Sequence, residues 1–250
     1  MWFRSHAADA TGGTSTRREV LVPGVKVEIW SDVVCPWCYI GKRRFEAALE
    51  GFPHPVEVIW KSFQLDPEAT SQPAGSQAAR LAEKYGRSLA DAQRMIDSVT
   101  AAAATEGLSY RLDLARSGNT FDAHRLLHLA NQHGVQDELK ERLDRAYFTE
   151  GLPIDDLDTL VRLAGEIGLD EVQAKEVLAG DAYAVDVKAD IDEARALGIS
   201  AVPFFVIDRK YGISGAQPSE LLRSALEQAW EQRDVDVTAA PGCEDDACAV

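Results

Sequence analysis

The chain has 250 residues, 46% of them hydrophobic and 27% charged, a globular composition with room for one sizeable domain or two closely packed ones. Its formal net charge of −15 repels nucleic acids and anionic membrane surfaces, which are excluded as partners. The four cysteines form two close pairs, Cys35/Cys38 and Cys243/Cys248, a spacing that suits switching chemistry or metal binding better than the stapling of long loops.

Residues 1–23 contain no apolar run long enough for a signal-peptide core and are expected to be a disordered leader. No stretch approaches the roughly 20 apolar residues of a membrane span, so a cytoplasmic location is expected. Val25 to Trp30 is β-branched and alternating, which predicts a strand. It runs into Cys35-Pro36-Trp37-Cys38, where the pattern turns helical: Ile40, Phe45, Ala48 and Leu49 recur at three- and four-residue spacing until Gly51 stops the helix. Pro55 to Trp60 is a second predicted strand, so the opening is β-α-β.

From Pro67 to about Tyr183 the chain becomes rich in Ala, Leu, Glu, Arg and Lys, punctuated by glycines. Ser88 with Asp91 makes a capping-box-like start for a helix running to Gly107. Thr120 to His133 forms another, and further helical segments stop near Gly151, Gly168 and Gly180. Asp181 to Leu197 is helical as well. Alternation then returns in two short strands, Val202–Ile207 and Tyr211–Ser214, before a closing helix from Ser219 to Trp230. The expected architecture is α/β: 24–66 and 184–232 form a sheet-bearing domain, 67–183 is a large inserted α-helical domain, and 233–250 is a flexible acidic tail.

The chemistry is expected at Cys35 and Cys38. A helix N-terminus exposes unpaired N–H groups and carries partial positive charge, which stabilises a thiolate. Pro36 suits the first helical position because its missing N–H costs nothing there. Cys35 is thus the expected nucleophile, and Cys38, one turn on and less exposed, the resolving sulfur. Half of a zinc site is the weaker reading, since two further ligands would have to come from distant residues. An inert disulfide closing so short a loop would stabilise little. Pro203 opens an apolar strand, and the isomer of its peptide bond is left open by the residues themselves.

Taken together, the strand–Cys35-Pro-Trp-Cys38–helix unit, the helical insertion and Gly198-Ile-Ser-Ala-Val-Pro203-Phe-Phe-Val resemble the DsbA-like oxidoreductases, and the Cys-Pro-Trp-Cys form resembles their FrnE-type subfamily. Ser31-Asp32-Val-Val-Cys35, Phe63-Gln-Leu-Asp-Pro67 and Asn119-Thr-Phe-Asp-Ala-His-Arg-Leu126 are further points of similarity, over about residues 25–232. The resemblance implies a thioredoxin fold interrupted by a helical domain, with the site in the cleft between them. It also implies a cis Val202–Pro203 bond, substrate binding at Trp37, Val202 and Pro203, and thiol–disulfide exchange on protein or small-thiol substrates with no bound cofactor. Trp37 stands where periplasmic DsbA proteins have His, so strong oxidising power is not implied. In a reducing cytoplasm the pair would serve as a reductase or isomerase.

Cys243 and Cys248 lie beyond the last predicted helix. Eleven extended residues from Gln232 span at most about 35–40 Å, enough to bring this accessory pair to the cleft as a disulfide shuttle; a tail disulfide or two free thiols without a role are the equal alternative. His124 and His128 sit four apart on one helix, but no metal is expected, because a third ligand and a supporting Glu are missing. His124 is expected to line the cleft. A homodimer is compatible with the sequence. Two other functions fit the fold. A glutathione-dependent transferase or hydroxychromene-carboxylate isomerase would generally present Ser in place of a Cys pair. A polypeptide-binding holdase would retain peptide binding after Cys35→Ser.

Overall fold

The computed structural model describes residues 24–71 and 76–238, with side chains to residue 233. β1 (Val25–Ser31) leads into α1 (Pro36–Leu49) and β2 (Val56–Ser62). Seven helices follow, α2 (Gln77–Tyr85), α3 (Leu89–Thr105), α4 (Phe121–Gln132), α5 (Gln136–Arg145), α6 (Leu157–Glu166), α7 (Glu171–Ala179) and α8 (Ala184–Ala196), with a π turn at Ala146–Glu150 continuing α5. β3 (Phe204–Ile207), β4 (Tyr211–Ser214) and α9 (Ser219–Thr238) close the chain. This is a mixed α/β protein, a thioredoxin fold with a helical insertion.

The sheet order is β2-β1-β3-β4. β1 and β2 are parallel from Val25↔Val56 to Ser31↔Ser62, joined through α1, while β3 runs antiparallel to both β1 and β4. Central β1 is almost entirely buried because both of its faces are covered. Val25, Val27 and Ile29 pack with Phe45, Trp60, Phe205, Leu222 and Leu226 under α1 and α9. On the other face Trp30 packs with Ile199, Val202, Val206 and the two cysteines, and its indole N–H donates to the Asp190 carbonyl of α8, 2.9 Å away.

The helical segment has its own core, built on Leu126, Leu129, Leu139, Leu143, Phe148 and Leu160, and α1 reaches into it with Tyr39 and Ile40 while Phe45 and Ala48 face the sheet. One helix therefore belongs to both cores. β2 is an edge strand whose free backbone groups are met by side chains from the helical segment. Gln136 both accepts from the Trp60 N–H and donates to the Trp60 carbonyl, at 2.9 Å each, and Asp190 accepts from the Ser62 N–H at 2.9 Å.

Ser88 caps α3 by accepting from the Asp91 N–H, and Gly107 follows at φ 74, as the cap signals predict. Three boundaries differ from the sequence expectation. α2 emerges as a separate helix capped by Ser76, yet buries only Ala78. β3 begins at Phe204 and not at Val202, since Pro203 has no N–H to offer the ladder and its carbonyl instead accepts from Gly215, 2.8 Å away. α9 continues to Thr238, past Trp230 and into the stretch expected to be a flexible tail, because no Gly or Pro interrupts it before Pro241.

Candidate active site

The site forms where β1 ends. Cys35 occupies the N-cap of α1 with extended backbone (φ −87, ψ 112), Pro36 is the first helical residue, and no side chain caps the exposed N–H groups. The turn is closed by backbone alone: the Cys35 N–H donates to the Asp32 carbonyl at 3.2 Å and the Cys38 N–H to the Cys35 carbonyl at 3.0 Å. The electropositive end of the helix is thus left free beside the sulfur-bearing residue that starts it.

The Val202–Pro203 peptide bond is cis. The Cys35 thiol donates to the Val202 carbonyl at 3.6 Å, so the loop before β3 lies directly against the first cysteine. Gly41 makes this approach possible: a Cβ there would stand 2.9 Å from Pro203 Cγ. On the opposite side the Tyr110 hydroxyl donates to the Pro36 carbonyl at 2.6 Å, and its ring stacks on Phe148 with centroids 4.7 Å apart.

Both cysteines are free thiols and both are recessed, Cys35 at 4% exposure and Cys38 at 0%. Cys38 is the less exposed of the two, but Cys35 is itself covered by the Val202 carbonyl more fully than an open helix end would suggest. Burial, then the hydrogen bond and charge of Cys35, push the Cys38 thiol well above its ordinary range, against opposing pulls from the Lys140 ammonium and the Ser31 hydroxyl. Cys38 is therefore held as a thiol.

Lys140 belongs to α5 and is completely buried. Its ammonium binds both oxygens of equally buried Asp144, at 2.6 Å to Oδ1, and lies 5.3 Å over the Trp60 ring. Burial raises Asp144 to about 6 in spite of this partner. Asp32 is also fully buried; its Oδ2 accepts from the Leu65 N–H at 2.8 Å, which ties the turn before Cys35 to the loop after β2.

Cys35 opens onto a cleft of about 1630 Å³ that runs between the β1–α1 turn, the Val202 loop and the α2–α3 hairpin. Asp32, Trp37, Leu65, Tyr85, Met95 and Val202 are among its walls, and Trp37, Tyr85 and Met95 are exposed apolar surfaces. His124, expected as cleft lining, is instead buried behind Asp32, its Nε2 3.4 Å from Oδ1, because α4 packs that face against the β1–α1 turn. His128 diverges from it to Asp190 Oδ2, 3.0 Å away. Among the described residues no group of three or more His, Cys, Asp or Glu side chains gathers in a way that would hold a metal ion. Cys243 and Cys248 lie outside the described residues.

A β-α-β start carrying Cys-x-x-Cys at its helix, completed by a cis-proline loop and a β-hairpin, defines the thioredoxin class of thiol–disulfide proteins. The chain belongs within that class to the family of the DSBA-like thioredoxin domain, whose model matches residues 26–227. It is similar to a probable DsbA oxidoreductase from Streptomyces coelicolor, with 46% identity, a TM-score of 0.79 and coverage of 90% of this chain and 99% of that one. It is also 29% identical over 214 residues to the uncharacterized protein YwbO of Bacillus subtilis (strain 168), covering 81% of this chain and 96% of that protein. The cytosolic disulfide reductase DsbM of Pseudomonas aeruginosa, solved with GSH, shares the fold at 18% identity and a TM-score of 0.58, over 82% of this chain and 99% of that one.

Proposed function

We propose that Cys35 is the nucleophile and Cys38 the resolving thiol of a thiol–disulfide exchange site that reduces or isomerises disulfides in polypeptides. The observation that carries this reading is the asymmetry of the pair. Cys35 stands at an uncapped helix N-terminus and opens onto the cleft, whereas Cys38 is sealed behind it with its thiol driven well up. Cys35 attacks first; Cys38 acts once the mixed disulfide has formed beside it.

The size of the cleft supports a polypeptide substrate. Small-molecule sites are about 300–1,000 Å³, and 1630 Å³ exceeds that range. Trp37 and Val202 contact the substrate on either side of Cys35, with Pro203 holding Val202 in place. The exchange needs no cofactor, because two thiols supply both electrons. The net charge of −15 keeps nucleic acids and anionic membranes away, and no helix among the described residues is long and apolar enough to cross a membrane. Trp37 between the cysteines supports a FrnE-type protein working in a reducing cytoplasm.

Insulin reduction and reactivation of scrambled ribonuclease, run with wild type and Cys35→Ser, test the proposal. Turnover by wild type that disappears in Cys35→Ser is expected. Turnover retained in Cys35→Ser would overturn it.

A further inference from the structure

The helical insertion grips the Cys35–Cys38 turn through a side chain that disulfide exchange, as read above, leaves unused. Tyr110, in the loop after α3, is buried, and its hydroxyl donates to the Pro36 carbonyl at 2.6 Å. The loop and the ring are both fixed. The next residue, Arg111, donates its N–H to the Phe148 carbonyl at 2.6 Å, and the Tyr110 ring stacks on the Phe148 ring and lies 6.2 Å from that of Tyr39 on α1. A helix carbonyl has two lone pairs and the ladder uses one, so the phenol adds a bond that α1 does not need in order to form. Burial first, then the charges of Asp144, Cys35, Tyr39 and Cys38, push the phenol far up, so it keeps its proton and stays a donor.

The Pro36 carbonyl is one end of a peptide group whose other end is the Trp37 N–H. At a helix start the N-cap side chain takes hydrogen bonds from the second and third residues of the helix. With Cys35 at the N-cap these are Trp37 and Cys38. Pro36 has no N–H, and the Cys38 N–H is given to the Cys35 carbonyl. The Trp37 N–H has no acceptor among the described residues, so it is the one left for the Cys35 sulfur. A donor on the oxygen of an amide draws electrons toward that oxygen and leaves the N–H of the same amide more positive; hydrogen bonds chained through a peptide unit strengthen one another.

Building on the exchange reaction proposed above, we propose that Tyr110 is a positioning residue for Cys35: its hydroxyl polarises the Pro36–Trp37 peptide and so strengthens the N–H that holds the Cys35 thiolate. The insertion thereby tunes a sulfur carried by the sheet-bearing domain, through one hydrogen bond to the backbone between the two cysteines. Trp37 serves here through its backbone, independently of the ring that faces the cleft.

The pH profile of alkylation separates this role from a structural one, because only the thiolate reacts. The reduced full chain is treated with iodoacetamide across the range in which thiols titrate, and the rate at Cys35 is read by mass spectrometry. Tyr110→Phe keeps the ring on Phe148 and removes only the hydroxyl. Its rate is expected to fall about two- to threefold on the acid side of the Cys35 titration and to meet or slightly exceed wild type on the alkaline side, where both sulfurs are fully ionised. A ring-fluorinated tyrosine at the same position, a stronger donor, should move the profile the opposite way. Coincident profiles for Tyr110→Phe and wild type, or a rate changed by the same factor at every pH, would overturn the proposal. Should Tyr110→Phe not fold, the direction of the shift in the fluorinated protein decides. Wild type that leaves insulin disulfides intact while the Tyr110 shift is present would instead bring down the exchange reading alone.

Discussion

Asp144→Asn isolates an electrostatic conflict in the buried helical core. Asp144 and Lys140 are both completely buried, so two effects compete: Lys140 favours the carboxylate, and loss of water disfavours it. Burial wins, lifting Asp144 from 3.8 to about 6. That difference corresponds to about 3 kcal/mol. Its sign follows from linkage. The folded protein holds this proton more tightly than the unfolded chain, so the contribution is fully present below about pH 4 and is lost as pH rises through about 6. Asn resembles the protonated acid and does not titrate. Whatever offset the substitution brings, the stability of wild type relative to Asp144→Asn should therefore fall by up to about 3 kcal/mol from acid to neutral pH. Urea unfolding followed by circular dichroism between pH 4 and 7.5 measures this difference directly. A wild-type advantage that grows with pH would refute the reasoning, because it would mean that the attraction of Lys140 exceeds the cost of burial.

Three further outcomes follow from the geometry. Gly41→Ala should gain up to about 1 kcal/mol from helix propensity but lose about 1–3 kcal/mol by driving its Cβ into Pro203, for a net loss in urea unfolding together with slower alkylation of Cys35; a more stable variant with unchanged alkylation would contradict the tight packing of Gly41 on Pro203. Tyr110→Phe removes the donor to the Pro36 carbonyl and should cost about 1 kcal/mol in thermal or urea unfolding, with an unchanged midpoint counting against that bond. Trp37→Ala should change stability by less than about 0.5 kcal/mol, since the ring is 42% exposed, while raising KM for peptide disulfides; equal kinetics would remove Trp37 from the substrate surface.

The sequence made the frame legible wherever local chemistry decides structure. Val25–Trp30 alternates, Pro36 can only open a helix, and Ser88, Asp91 and Gly107 mark both ends of α3, so these elements follow from propensity and capping without tertiary information. The position of Cys35 and Cys38 at a helix start was legible for the same reason. α2 was missed as a separate helix although Ala78, Leu81, Ala82 and Tyr85 repeat at three- and four-residue spacing, because the segment is only nine residues long and buries only Ala78. Lys140 and Asp144 were passed over because a Lys and an Asp four residues apart read as an ordinary surface pair on any exposed helix. Only the docking of α5 on β2 turns them inward. Asp32 stood within the Ser31–Cys35 motif, yet nothing local distinguishes a buried carboxylate from a turn-forming one. His124 was placed correctly on its helix but not on the correct side of Asp32, since one residue's orientation depends on how α4 packs against the β1–α1 turn.

The division of labour between the two sulfurs is tested most directly by trapping. Cys38→Ser, incubated in its reduced form with a peptide disulfide and mapped by mass spectrometry, should accumulate a mixed disulfide at Cys35, while Cys35→Ser should accumulate none at Cys38. Adducts forming at Cys38 as readily as at Cys35 would contradict the account.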